Sequence, residues 1–151
     1  MQLTRFTDFG LRVLMYLCTP APDQREQAVT VAEIAERFEV SRHHLNKVVQ
    51  FLAQQGWVVT TRGKGGGLAL AQPPSHYRLG QLIRTLEGDL PLIDCAEPPC
   101  ALHRRCGLKP LLDEGLDAFF AALDAHTLAD THTAKTQQVL VKLQRLSRPS
   151  V

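Results

Sequence analysis

Apolar residues recur at helical spacing from the start of the chain. Phe6, Leu11, Val13, Leu14 and Leu17 fill one face of a helix over 6–17, and Pro20 and Pro22 end it. Thr30 then predicts an N-cap, with Glu33 three residues on to complete a capping box. The short helix behind it runs from Val31 to Phe38 and turns Val31, Ile34, Ala35 and Phe38 inward. After a tight turn at Glu39-Val40, Ser41 caps a longer helix. Its buried side carries Leu45, Val48, Val49 and Leu52, and its other side Arg42, His43, Asn46, Lys47 and Gln50. Short helix, turn and longer basic helix form a helix-turn-helix pattern.

The period then changes. Trp57-Val58-Val59-Thr60-Thr61 is rich in strand formers, Leu68-Ala69-Leu70 follows, and the glycine-rich run 62–67 joins them as a hairpin. Gly63 and Gly65 to Gly67 can take positive φ and bring backbone close to a partner, while Arg62 and Lys64 project charge from the tip. Directly behind a helix-turn-helix, such a hairpin is a wing. The run lacks the GxxxxGK[ST] spacing and no helix follows it, so it does not read as a nucleotide-phosphate loop. Trp57 opens the wing and is expected to pack beneath it.

Farther on, Leu108, Leu111, Leu112, Leu116, Phe119, Phe120 and Leu123 recur at i, i+3, i+4 spacing, a stripe long enough to pack on a symmetry mate. The preceding unit already has core residues of its own, and a winged helix reads a palindrome through two recognition helices, which favours a homodimer. The expected fold is mostly α with a small β-hairpin: a winged helix-turn-helix domain plus a long dimerisation helix. Its divisions are the winged unit over 1–78, a connecting helix and loop over 79–94, a cysteine loop over 95–106, the dimerisation helix over 107–130, and a polar, partly helical tail over 131–151.

Charge sharpens the picture. The net charge of +2 says little, but no Asp or Glu occurs between Glu39 and Glu87, while Arg42, Lys47, Arg62, Lys64, Arg78 and Arg84 do. A region kept free of acids reads as a surface facing a polyanion. Ser41, Arg42, His43 and Lys47 are therefore expected at the major groove of double-stranded operator DNA, and Arg62 and Lys64 at the flanking minor groove or phosphates. Arg5, Asp8 and Arg12 interrupt the apolar positions of the N-terminus, and no run of about 18 apolar residues could span a bilayer, so no membrane role and a cytoplasmic location are expected. No nucleophile, base and orienting acid assemble from the available residues, and enzyme activity is not indicated.

Three of the four cysteines, Cys95, Cys100 and Cys106, crowd the stretch CAEPPCALHRRC. Thiolates are the preferred ligands of iron-sulfur clusters, and gaps of four and five residues leave slack to face one cluster. Zinc held by these cysteines with His103 is the competing reading, although zinc loops usually show the tighter CxxC pairs absent here. Cys18 stands apart and reads as a small buried hydrophobe.

MQLTRFTDFGLRVLMYL, VSRHHLNKVVQFLAQQGWV, RGKGGGLAL and LGQLIRTLEGDLPLIDC, with the cysteine loop behind them, resemble the winged-helix repressors of the NsrR and IscR family over roughly residues 1–130. The resemblance implies a dimeric DNA-binding repressor that carries an iron-sulfur cluster. Members with a [2Fe-2S] cluster hold a histidine three residues beyond the last cysteine, where this chain has Lys109. The members that share this cysteine spacing imply a [4Fe-4S] cluster whose fourth ligand is an aspartate near the N-terminus of the partner subunit, matched by Asp8. They also imply nitric oxide as the signal and its detoxification genes as targets, with an iron- or redox-sensing regulator of the same fold as the alternative. By itself, Asp8 reads as an ordinary acid in the first turns of a helix, with Arg12 one turn on as an orienting or solvent-facing ion partner.

Overall fold

A computed structural model describes residues 2–19, 28–61, 63, 66–88, 91–96, 98–103 and 105–145. The first helix, α1 (Arg5–Cys18), begins at Thr4, whose side chain accepts a hydrogen bond from the Thr7 N–H at 3.3 Å. Its inner face places Val13, Leu14 and Tyr16 out of reach of solvent. Helix α2 (Val31–Arg37) starts as predicted, with the Thr30 side chain accepting from the Glu33 N–H at 3.2 Å. The Glu33 carboxylate, however, accepts from the Tyr16 hydroxyl, so the residue expected to close a local capping box fastens α2 to α1. The turn is made by Glu39 in the left-handed region (φ 52°), with the Val40 N–H donating to the Ala35 carbonyl at 3.0 Å.

Helix α3 (Arg42–Gln54) buries Leu45, Val48, Val49 and Leu52, the predicted inner face. The wing pairs β1 (Val58–Thr60) with β2 (Leu68–Leu70) antiparallel, Val58 opposite Leu70 and Thr60 opposite Leu68. A further bridge joins Val29 to Leu68. That bridge corrects one expectation about the glycine run. Gly63 has positive φ (99°) but Gly67 does not, and Gly65 lies outside the described residues; a Cβ on Gly67 would lie 2.5 Å from both the Ala28 Cβ and the Val29 carbonyl oxygen. Gly67 is there to let two backbones touch. Tyr77 latches the base of the wing, its hydroxyl donating to the Trp57 carbonyl at 3.0 Å and accepting from the Gln72 N–H at 2.7 Å. Trp57 packs against the core, as expected.

Helix α4 (Leu79–Glu87) turns Leu82, Ile83 and Leu86 inward, and Leu86 fills the space over Gly10 of α1. The start of α4 meets the end of α5 (Leu108–Asp124). None of the α5 residues is fully buried, and Leu108 and Leu111 are 58% and 66% exposed. A 3-10 turn over Leu128–Thr131 buries Leu128, and α6 (Ala134–Arg145) returns to the core. There Leu140 and Gln144 are buried, with Gln144 Nε2 donating to the Tyr16 carbonyl at 3.4 Å. The polar C-terminal stretch therefore contributes a helix that closes over α1.

The tightest helix contact is at Gly80, where a Cβ would fall 2.3 Å from Asp124 Oδ1 and 2.7 Å from the Phe120 carbonyl oxygen. A backbone oxygen cannot rotate away, so the helices must separate to admit a methyl group. Gly80→Ala is expected to destabilise the fold by about 1–3 kcal/mol, as overpacking does. Thermal unfolding checks this, the melting temperature dropping by several degrees.

Candidate nucleic-acid interface and cysteine loop

Helix α3 divides cleanly between core and surface. With its apolar side buried, Arg42, His43, His44, Asn46, Lys47 and Gln50 are all exposed. Ser41 occupies the N-cap position predicted for it, but its side chain makes no capping hydrogen bond. The exposed residues of α3 and its N-cap thus include a hydroxyl, two imidazoles and two cations, and no carboxylate. The His43 and His44 rings are 6.2 Å apart and tilted by 52°, so they diverge. Arg62 and Lys64, expected at the wing tip, lie outside the described residues.

The acid-free stretch is not uniformly a ligand surface. Arg84 donates from Nη1 to Asp124 Oδ2 at 2.8 Å and lies over the Phe120 ring, while Arg78 donates to the Asp124 carbonyl at 3.3 Å. Both arginines are engaged in holding α4 to the end of α5. The acid-free stretch therefore holds two things: an exposed helix face at α3, and two arginines that both bond Asp124, Arg84 its carboxylate and Arg78 its backbone carbonyl.

Between α4 and α5, the described residues of the cysteine loop form a series of turns. The Cys100 N–H donates to the Cys95 carbonyl at 3.2 Å, the His103 N–H to the Cys100 carbonyl at 3.0 Å, and the Arg105 N–H to the Leu102 carbonyl at 2.9 Å. Cys95, Cys100 and Cys106 are free thiols, each half-buried. Among the described residues, no group of three or more His, Cys, Asp or Glu side chains is gathered tightly enough to hold a metal ion. Lys109 donates to both carboxylate oxygens of Asp113, at 2.8 and 2.7 Å. That bond raises the lysine pKa above its ordinary value, so the position holds a cation beside the loop.

Asp8 stands on α1 with its side chain partly open to solvent, and its Oδ1 accepts from Arg12 Nε at 2.8 Å. The Arg12 guanidinium in turn lies 5.9 Å from the centre of the Phe38 ring, beside the helix-turn-helix turn. Asp8 owes its place to an unanticipated contact. Thr4, whose carbonyl accepts from the Asp8 N–H, donates from its own backbone N–H and hydroxyl to Glu87 Oε1 at 2.8 and 3.1 Å. The last residue of α4 thus holds the first turn of α1. Nothing in the local pattern announces this pair, since 83 residues separate the partners.

With that geometry established, comparison with known proteins is decisive. Residues 3–134 match the Rrf2 family, described as an iron-dependent transcriptional regulator. The chain belongs to the Rrf2 family. It is 36% identical to the HTH-type transcriptional regulator NsrR of Bacillus subtilis (strain 168), over 97% of this chain and 99% of that protein. The structure of CymR, the global cysteine regulator of B. subtilis, superposes with a TM-score of 0.70 at 26% identity, covering 87% of this chain and 95% of that one. IscR of T. potens, at 23% identity and a TM-score of 0.66 over 100% of this chain and 94% of that one, shares the fold. The winged-helix resemblance is thereby established, and Rrf2 membership makes the chain a DNA-binding transcriptional regulator rather than an enzyme. No helix among the described residues is long and apolar enough to cross a membrane.

Two outcomes test these assignments. Lys47→Ala, which removes a cation expected at the major groove, is expected to weaken operator binding by about 1–3 kcal/mol and to relax base preference at the position it faces, as measured by gel shift across operator variants. Cys18 packs against the core, and burial pushes its thiol up to about 11. At pH 8 its thiolate fraction is then roughly a thousandth. Alkylation of the metal-free protein followed by mass spectrometry should label the three loop cysteines first and Cys18 last.

Proposed function

We propose that the chain is a cytoplasmic homodimeric repressor in which Cys95, Cys100 and Cys106 of one subunit and Asp8 of the partner subunit hold a [4Fe-4S] cluster. The observation that carries this reading is the set of three free, half-buried thiols on one loop between the DNA-binding unit and α5, in a chain so similar to NsrR. The donor set suits the group: three thiols that can ionise, and a carboxylate on a partly open helix face that a neighbouring subunit can reach. Lys109, a cation already bonded to Asp113, cannot serve as the histidine ligand of two-iron relatives. When bound, such a cluster supplies iron that reacts with nitric oxide.

The protein's own residues supply the rest. Ser41, Arg42, His43 and Lys47 enter the major groove, and Arg62 and Lys64 meet the flanking minor groove or phosphates. The exposed Leu108 and Leu111, with half-buried Leu112, Leu116 and Phe119, pack α5 against its mate. Asp8 has two claims on its carboxylate, Arg12 in its own chain and the thiol loop of the other subunit. While it bridges subunits, the two α3 helices are held at operator spacing; released, it stays with Arg12 and the subunits lose that tie, DNA affinity falls, and nitric-oxide detoxification genes are expressed. A second reading, an iron-responsive regulator of the same fold, is favoured by the description of the family as iron-dependent.

Anaerobic purification should yield a brown protein with about four iron and four sulfide per chain. Its operator gel shift should be lost on adding nitric oxide. Retention of the shift would sink nitric oxide as the signal, and loss on iron chelation alone would favour the iron-responsive reading. A colourless protein containing zinc, or one with two irons per chain, would replace the cluster assignment. Asp8→Ala is expected to change the cluster's absorbance and shorten its lifetime; an unchanged spectrum and lifetime would remove Asp8 from the ligand set.

A further inference from the structure

Helices α4 and α5 are fastened to each other at one end. Where Gly80 admits α5, Arg84 Nη1 donates to Asp124 Oδ2 at 2.8 Å, and the guanidinium carbon lies 4.4 Å from the centre of the Phe120 ring. Around the same point the Leu79 N–H donates to the His126 carbonyl at 3.0 Å, and the Leu128 N–H to the Tyr77 carbonyl at 2.8 Å. At the far end of α5, Leu108 and Leu111 are exposed and the cysteine loop begins. The pair is stitched where the loop is not.

Helix α4 belongs to the DNA-binding unit, because Leu82 and Leu86 are part of its core and Leu86 lies against α1. Helix α5 has no core position of its own. The angle at which the two cross therefore decides where α3 sits relative to anything bound along α5. A helix of 17 residues is about 25 Å long, so a rotation of roughly 10° moves its free end by about 4 Å. That exceeds the 3.4 Å step between base pairs.

Arg84 is well suited to fix such an angle. Its planar guanidinium has a carboxylate as hydrogen-bond acceptor and an aromatic face beside it, and both partners stand on α5. Arg84 and Asp124 are about one-third exposed, so their ion pair adds little to folding stability. Its value lies in direction.

We infer that Gly80, Arg84, Asp124 and Phe120 form the joint that sets the angle between the DNA-binding unit and α5, and thereby the half-site spacing the dimer accepts. This rests on the reading that α5 is the dimer interface. Arg84 is a positioning residue, acting on DNA through the placement of α3 without touching it.

The test uses the full-length protein and an operator selected by the wild type from a random-sequence DNA library. Spacers lengthened or shortened by one and two base pairs are compared by gel shift. The wild type should prefer its own spacer by roughly tenfold or more, since half-site spacing mirrors dimer geometry. Arg84→Met and Asp124→Asn should remain folded and dimeric by thermal melting and light scattering, with that preference reduced to about twofold or less. Arg84→Lys, which keeps the charge but loses the planar group, should fall between, and it carries the test if methionine unfolds the chain. Folded, dimeric variants with an unchanged spacing profile would overturn the joint. A monomeric wild type would overturn the dimer reading and the joint with it.

Discussion

Tyr16 has none of its surface exposed, and three elements meet on it. Its hydroxyl donates to Glu33 of α2, its ring packs edge-on against Phe38 at 5.9 Å, and its carbonyl accepts from Gln144 of α6. A phenol placed this deep needs a partner for its oxygen. Supplying one ties the first helix of the DNA-binding unit to the helix that precedes the turn, and the backbone beside it to the last helix described. The orientation of α3 follows, because the turn at Glu39-Val40 starts from α2 as this contact places it.

From that centre the architecture has two regimes. Around α1 the packing is apolar and closed, with Val13, Leu14, Ile34, Leu45, Val48, Leu52 and Leu82 nearly or wholly excluded from solvent. Between α4 and α5, where α5 has no fully buried residue, directional contacts stand out: a glycine gap, two arginines and several backbone hydrogen bonds. Cores resist deformation because many atoms share the load, whereas a joint built on a few polar contacts can be biased by a small free energy. A regulator needs both kinds of region, one to present a fixed helix to DNA and one to let that helix be repositioned.

Much of this was legible along the chain, and the reason is periodicity. Leu45, Val48, Val49 and Leu52 announce their helix and its inner face because burial repeats every 3.6 residues, and the wing announces itself through the β-branched run Val58-Val59-Thr60 before the glycines and the Leu-Ala-Leu alternation after them. Contacts between distant segments leave no such trace. Arg84 reads as one more cation of a basic stretch until Asp124 is found beside it, and Thr4 gives no hint of Glu87. Gly67 suggests positive φ when its role is contact with Ala28 and Val29. Helix α6 reads as a polar tail because one of its two buried residues, Gln144, is polar. The three loop cysteines stood out through spacing alone, while the role proposed for Asp8 depends on likeness to other proteins.

Between Glu87 and Leu108 the chain spends twenty residues joining two helices. Connections of two to eight residues are usual between neighbouring helices. Most of that segment is therefore surplus to topology, and its sequence is free of the demands that packing places on a core. Closing a flexible segment costs entropy that grows only slowly with its length, so the surplus is inexpensive to carry. In the proposed function it is a tether: a cluster held by Cys95, Cys100 and Cys106 would draw the connection together, and loss of the cluster would remove that constraint. The same covalent chain would then hold α5 under two different degrees of restraint.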